Sequence, residues 1–207
     1  MFTFEFMLVW FGWLLTGGSP GPATLAIAGT AMQRGLGAAL MVSLGILAGG
    51  ATWGISAALG LGAIMVANAW VFEVVRYFGA TYLLWLAYKA LRSAVKPSDT
   101  VSGTPFSGGA KTLFAKGMAL HLTNPKAILS WGSIYTIAAP STATVTDLLG
   151  YFLALYAGGI LVFISYAFLF LSSAVVGAYG RAQRWFNLAF AGFCGFASMK
   201  ILTARLS

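Results

Sequence analysis

Two short runs interrupt a sequence that is otherwise almost wholly apolar, and both carry residue types able to bind charge: Gly17-Gly18-Ser19-Pro20-Gly21-Pro22 and Thr123-Asn124-Pro125-Lys126. The first cannot continue a regular helix, because proline lacks a backbone donor and crowds the preceding turn, while glycine gains freedom by leaving it. Pro22 suits the first turn of a restarting helix, with Ser19 or the backbone near it as cap. Asn124 followed by Pro125 reads as an N-cap followed by the first helical position. Each run therefore predicts a helix start whose free N–H groups and positive dipole end favour an anion. A carboxylate is the natural guest, and Lys126 adds a full positive charge beside it. The competing readings are a packing kink at the double-proline run, and a structural pair or a snorkelling side chain for Lys126.

The remaining polar residues are sparse. His121 lies one turn before the second interruption, and imidazole titrates nearest physiological pH, so it is a candidate proton carrier; a satisfied structural hydrogen bond is the alternative. Glu5, near one end of the first apolar span, is a second proton-coupling candidate, set against simple surface exposure. Glu73 is a third, although its three-residue spacing from Arg76 also predicts a local ion pair. Asp147 follows a Thr-rich turn and reads as a helix cap. Trp10, Trp13, Trp131 and Tyr135 flank the interruptions, as interface anchors, packing, or a face for a substrate ammonium. Carbonyls released at Thr16, Gly17 and Thr123 are the other candidates for that ammonium.

What must position these residues is legible from composition. Hydrophobic residues make up 59% of the 207 residues and charged residues 8%, against about a quarter charged in a soluble domain. Apolar stretches near the ~20 residues needed to cross a hydrocarbon core recur at roughly 4–33, 37–62, 64–88, 112–138, 148–172 and 186–203. The expected fold class is thus an all-α integral membrane protein of about six transmembrane helices. Phe4 to Thr16 gives only ~20 Å of helix, and span four runs ~15 Å before Asn124, so both interruptions fall near the membrane middle. Freed backbone groups there are tolerable only inside protein or against a wet cavity.

A formal charge of +8 does not point to nucleic acid, which needs a clustered basic patch. The bases instead separate by side. Alternate loops carry Arg34, Lys89, Arg92, Lys96, Lys111, Lys116, Arg181 and Arg184, against Arg76, Lys200 and Arg205 opposite. The positive-inside rule then puts the richer loops in the cytoplasm and both chain ends outside. The start MFTFEF holds Glu5 and no Lys or Arg, so the first span reads as a retained helix rather than a signal peptide. Cys194 is the lone cysteine, which excludes an internal disulfide and paired-thiol chemistry. No cofactor is called for.

The polar linker, about 96–111, divides one transporter domain into a first half, about 1–95, and a second, about 112–207. Pro20 and Pro125, Gly49-Gly50 and Gly158-Gly159, and Arg76-Tyr77-Phe78 and Arg184-Trp185-Phe186 are all related by offsets of about 105–109 residues, which predicts an internal repeat. Three spans per half turn the second copy upside down, the inverted-repeat plan of many secondary transporters. In span two, Gly45, Gly49, Gly50 and Gly54 mark a surface for close helix approach, with a permeation lining as the minor option.

SPGP near the end of span one, the following QRGLG, YFGATYLLWLAYKALRS in span three and NPKA in span four together resemble the lysine exporter (LysE) superfamily, especially its homoserine/threonine exporter (RhtB-like) branch. The match runs over nearly the whole chain, and SPGP with NPKA in register is its specific part. The resemblance implies a small carrier of the bacterial inner membrane that exports amino acids, driven by the proton gradient. It points to Ser19, Pro20, Gly21, Pro22, Asn124, Pro125 and Lys126 at the pathway centre. Some members carry an acidic residue in the middle of span two, where this chain has Gly50-Ala51-Thr52. Lysine, which would want a buried carboxylate for its side chain, is therefore disfavoured.

These observations converge on a secondary transporter whose partners are an amino acid or amino-acid-like solute, protons and membrane lipid, with a homo-oligomer left open. An exporter of metal or other cations would need clustered carboxylates, thiolates or imidazoles, for which the chain has few candidates. A membrane enzyme or assembly subunit would need a nucleophile near a base, and His121 with a nearby serine is the only candidate.

Overall fold

The computed structural model describes residues 4–67, 69–95, 105–138 and 143–203; within these, the side chains at 4–5, 61–67, 69, 71–73, 75–76, 136–137 and 201 lie outside the description. The described residues form helices and turns and no strand. The helices are α1 (Phe4–Gly18), α2 (Pro22–Ala67), α3 (Ala69–Val95), α4 (Ala110–Leu122), α5 (Pro125–Ala138), α6 (Val145–Leu169) and α7 (Ser173–Thr203). Pro22 and Pro125 each open a helix, where the missing N–H costs nothing.

Expected span one corresponds to α1 plus the part of α2 before Gly35, and span four to α4 plus α5. The loop expected between spans one and two is compressed to a single residue. Gly35, at φ 77° and ψ −177°, turns the chain within α2 in a backbone region that only glycine occupies without strain. Expected span six, 186–203, begins earlier, because α7 already starts at Ser173. Hydropathy marks only the apolar part of a helix, and the polar stretch through Arg181 and Arg184 belongs to the same helix.

α2 packs against α4 and α6, and α3 against α7. The glycines of the expected close-approach surface do that work. A methyl on Gly45 would lie 2.0 Å from the Phe114 carbonyl oxygen, and one on Gly117 would lie 2.4 Å from that of Val42. The α2 and α4 backbones are thus nearly in contact. Gly54 similarly lies under the Phe152 ring, at 2.7 Å from such a methyl.

Among the described residues three apolar clusters result. One joins Ile27, Ala31, Val42, Leu113, Phe170 and Tyr179; a second joins Phe6, Trp131, Tyr135, Leu148, Tyr151 and Phe152; a third lies between α3 and α7 around Leu83, Leu86, Phe190 and Cys194. The segment 105–109 is strapped over the Gly35 bend. Arg34 donates to the carbonyls of Phe106 and Gly108 (2.9 and 3.0 Å), and Lys116 donates to that of Ser107 (3.0 Å). This fastens basic residues of two expected loops to one end of the bundle. At the start of α6, Asp147 is not itself the cap. Thr144 caps the helix, and Asp147 returns a hydrogen bond from the third position to complete a capping box.

Candidate functional site

The two interruptions meet. Lys126, in the first turn of α5, donates to the Thr16 carbonyl at the end of α1 (2.8 Å) and to Ser19 Oγ. Its ammonium also lies 4.9 Å from the centre of the Phe190 ring and 3.8 Å from the point a methyl on Gly21 would occupy. Lys126 has no carboxylate partner among the described residues, and no Asp or Glu lines the spaces around it. Among the described residues its charge is balanced by a carbonyl, a hydroxyl, an aromatic face and the negative end of α1.

Four helix ends converge at this point, and following their orphan groups shows which are open. At the end of α1, the Leu15 carbonyl accepts from the Ser19 amide, and that of Thr16 accepts from Ser19 Oγ as well as Lys126. The Gly18 carbonyl accepts from the hydroxyls of both Tyr166 and Tyr179, at 2.8 and 2.9 Å. At the end of α4, Thr123 and Asn124 bond back to Ala119 and His121, while Trp53 Nε1 donates to the Leu122 carbonyl. The start of α5 is closed too. Asn124 Oδ1 accepts from the Lys126 amide at 3.0 Å, as an N-cap does, and the Asn124 carbonyl accepts from Ala127 and Ile128.

The start of α2 differs. Ser19 does not cap it, since its hydroxyl is turned to Thr16 and Lys126; Gly21 accepts from Leu25, and Thr24 Oγ1 reaches back to Ser19. The amides of Ala23 and Thr24 find no acceptor among the described residues. Of the two helix starts expected to attract an anion, only that of α2 has donors to spare, and the Lys126 ammonium stands beside it.

Two cavities flank this junction. The central one lies among α1, α2, α4, α5 and α6, with Trp13, Trp131, Leu47 and Val162 among its walls. The second lies toward α3 and α7 and includes Tyr82, Trp85, Lys89 and Ser93. Ser19, Gly21, Pro22, Asn124 and Lys126 line both, and so form the partition between them. Pro20 and Pro125 face only the second cavity, and His121 only the central one. The side chains of Glu5, Glu73 and Arg76 lie outside the described residues.

Residues without a local sequence signal complete the site: Tyr166 and Tyr179 hold the end of α1, and Tyr82 donates to the Pro125 carbonyl at 3.2 Å. Ser130 also lines the central cavity. It stands four residues after Lys126 on the same helix face, a spacing that marks it once Lys126 is singled out. Trp10 and Trp13 are tied to the α6 carbonyls of Ala154 and Leu155, so their indole N–H groups serve packing. His121 Nδ1 and Ser130 Oγ, both buried, have no hydrogen-bond partner. His121 Nδ1 thus makes no hydrogen bond to the described residues. Nor do these two atoms form a nucleophile–base pair, which requires a hydrogen bond between them. Among the described residues no three His, Cys, Asp or Glu gather as a metal site would require.

A charge-poor helical bundle, with a half-buried cation where two cavities meet at interrupted helices, is consistent with a helical membrane protein. Comparison with known proteins supplies its family. The family model described as LysE type translocator matches residues 14–204, and the chain belongs to that family. Among its relatives, the threonine efflux proteins of Salmonella typhimurium and Escherichia coli K12 are each 32% identical over 189 residues, covering 89% of this chain and 91% of theirs. The leucine efflux protein of Enterobacter sp. strain 638 is 32% identical over 172 residues, covering 80% of this chain and 77% of its own. These are bacterial proteins, and the chain is a bacterial membrane protein. No solved structure matches it.

Proposed function

We propose that this protein is a secondary transporter of the bacterial inner membrane that exports amino acids, or close analogues, from the cytoplasm by alternating access and proton antiport. The observation that carries the reading is the half-buried Lys126 ammonium, without a carboxylate partner among the described residues, beside the unpartnered amides of Ala23 and Thr24 at a partition between two cavities. Such a point lacks one thing, an anion. The α-carboxylate of an amino acid fills it, with Ser19, Pro20, Gly21, Pro22, Asn124 and Pro125 shaping the partition. The aromatic walls at Trp13 and Trp131 offer the substrate ammonium a face. The relatives are named for efflux of threonine and of leucine, both zwitterions without a charged side chain, and neither cavity offers a carboxylate to a cationic one.

In this reading the chain makes six spans as two inverted repeats, with spans one and four interrupted near the membrane middle. The packing supports it through paired contacts. Gly49 of α2 lies against His121 of α4 just as Gly158 of α6 lies against Trp10 and Leu14 of α1, and the repeat exchanges those two pairs. The second cavity reaches Lys89 and Ser93 and so faces the cytoplasm by the charge rule, with both chain ends outside. Rocking one repeat against the other breaks and remakes the Lys126 partition and exposes the substrate to each side in turn. His121 is the proton carrier best placed for coupling, because it shares the central cavity with the substrate. Glu5 and Glu73 are the reserves.

The test is efflux of a panel of labelled amino acids from proteoliposomes loaded with the purified protein, with and without an imposed proton gradient. Gradient-dependent efflux of one or more of them is expected. Release no faster than from empty liposomes across the whole panel refutes the proposal.

A further inference from the structure

The second cavity holds groups that the carboxylate site does not use. Tyr82, Trp85, Lys89 and Ser93 line it from α3, and their spacing of three or four residues puts them on one face of that helix. The Tyr82 hydroxyl fixes the inner end of this face, since it donates to the carbonyl of Pro125, the neighbour of Lys126. Lys89 and Ser93 then follow roughly 10 and 16 Å further along the helix axis. By the charge rule that direction is toward the cytoplasm.

At this outer end three polar groups have capacity to spare. The Lys89 ammonium rests over the Trp85 ring, 4.5 Å from its centre, with no hydrogen bond to a described residue and no Asp or Glu in the cavity lining. Ser93 Oγ accepts from Asn187 Nδ2 of α7 at 3.2 Å, and an accepting hydroxyl still has its own proton to donate. Asn187 lines the cavity too and is only 5% exposed, yet its side-chain carbonyl accepts from no described residue. Buried side-chain amides are normally bonded at both ends, so the open end calls for a ligand.

Lys89 and Ser93, four residues apart, have Cβ atoms about 6 Å from each other, and Ser93 is bonded directly to Asn187. The three thus form one group, with a cation and an O–H for a carboxylate and a carbonyl for an ammonium. We infer that Lys89, Ser93 and Asn187 form a second binding site, at the cytoplasmic mouth, which receives an amino acid by its α-carboxylate and α-ammonium before it reaches Lys126. This rests on the amino-acid export reading above and adds an entry step to it. One cavity runs from these residues to the partition, so the zwitterion passes from one cation to the next. The three groups address only what all amino acids share, and the site therefore does not choose among side chains.

The experiment places a thiol at the site, as Ser93→Cys in the full chain with Cys194→Ala, and follows its alkylation by a small maleimide. Threonine and leucine are the probes, with their amides as controls. Lys89 and Ser93 are both exposed, so substitutions there leave the fold in place. Both amino acids should slow alkylation and neither amide should. Adding Lys89→Gln should raise the half-protecting concentration about threefold or more, the scale of an exposed ion pair, and Lys89→Arg should restore it. Adding Lys126→Gln should leave protection in place. Three results overturn the inference: no protection, equal protection by the amides, or protection that Lys126→Gln abolishes and Lys89→Gln does not touch, which would be a distant report of the inner site. Any of these in a chain that still moves amino acids across a proteoliposome membrane leaves the export reading intact. A chain that moves none of them strikes that reading itself, and the entry step with it.

Discussion

Replacing Lys126 by glutamine removes one charge from a point where nothing else supplies it. The ammonium has three donors; two are used on the Thr16 carbonyl and Ser19 Oγ, leaving the third, with the charge, for a ligand. A charge-assisted hydrogen bond contributes about 1.5–3 kcal/mol, and each 1.4 kcal/mol is about tenfold in affinity. Lys126→Gln should therefore weaken binding of an amino acid roughly tenfold to a hundredfold. The cost to folding is smaller, because the two bonds lost to Thr16 and Ser19 are offset by relief of a charge held partly out of water, and the Thr16 carbonyl keeps Ser19 Oγ as a donor at 2.9 Å. The assay compares an amino acid with its amide as competitors of labelled substrate, alongside thermal unfolding in detergent. The parent should prefer the acid and Lys126→Gln should lose most of that preference, with little change in melting temperature. Equal binding of acid and amide by the parent, or full discrimination by the variant, would make Lys126 a structural bridge between α5 and α1 and nothing more.

Three further outcomes are expected. In a Cys194→Ala background, Ser107→Cys should be shielded from an impermeant thiol reagent in intact cells and react once the membrane is opened; labelling from outside would reverse the charge-based orientation. Gly45→Ala drives a methyl to 2.0 Å from a backbone oxygen of α4, whereas the same change at Gly37 meets nothing within 4 Å. The first should cost about 1–3 kcal/mol or more and lower the melting temperature while Gly37→Ala does not, and equal melting temperatures would contradict the α2–α4 packing. His121→Gln should flatten the pH dependence of efflux while substrate exchange continues; an unchanged profile would move the coupling role to Glu5 or Glu73.

Much of the architecture is local and was therefore legible in the chain. Charge-poor apolar runs of this length form helices because a helix satisfies every backbone group within the run itself, as lipid requires. Pro22 and Pro125 open helices because their rings forbid anything earlier, and Asn124 caps α5 through a side chain two residues from its partner. The close-packing role of Gly45 follows from the missing side chain alone. Where local rules met a subtler geometry the reading shifted by a residue or a role. Gly35 replaced a loop, and Asp147 serves Thr144 rather than capping α6 itself.

The state of each helix end was decided elsewhere. The sequence marks two helix starts as equivalent anion sites, yet the fold closes that of α5 with its own Asn124 and leaves that of α2 open. It brings Lys126 to the Thr16 carbonyl 110 residues away, and Tyr166 and Tyr179 to the Gly18 carbonyl from 148 and 161 residues away. A helix or a cap depends on neighbours a few residues apart, so its signal is in the chain. Whether a polar group is paired or bare depends on everything that packs around it, and only the assembled bundle determines that.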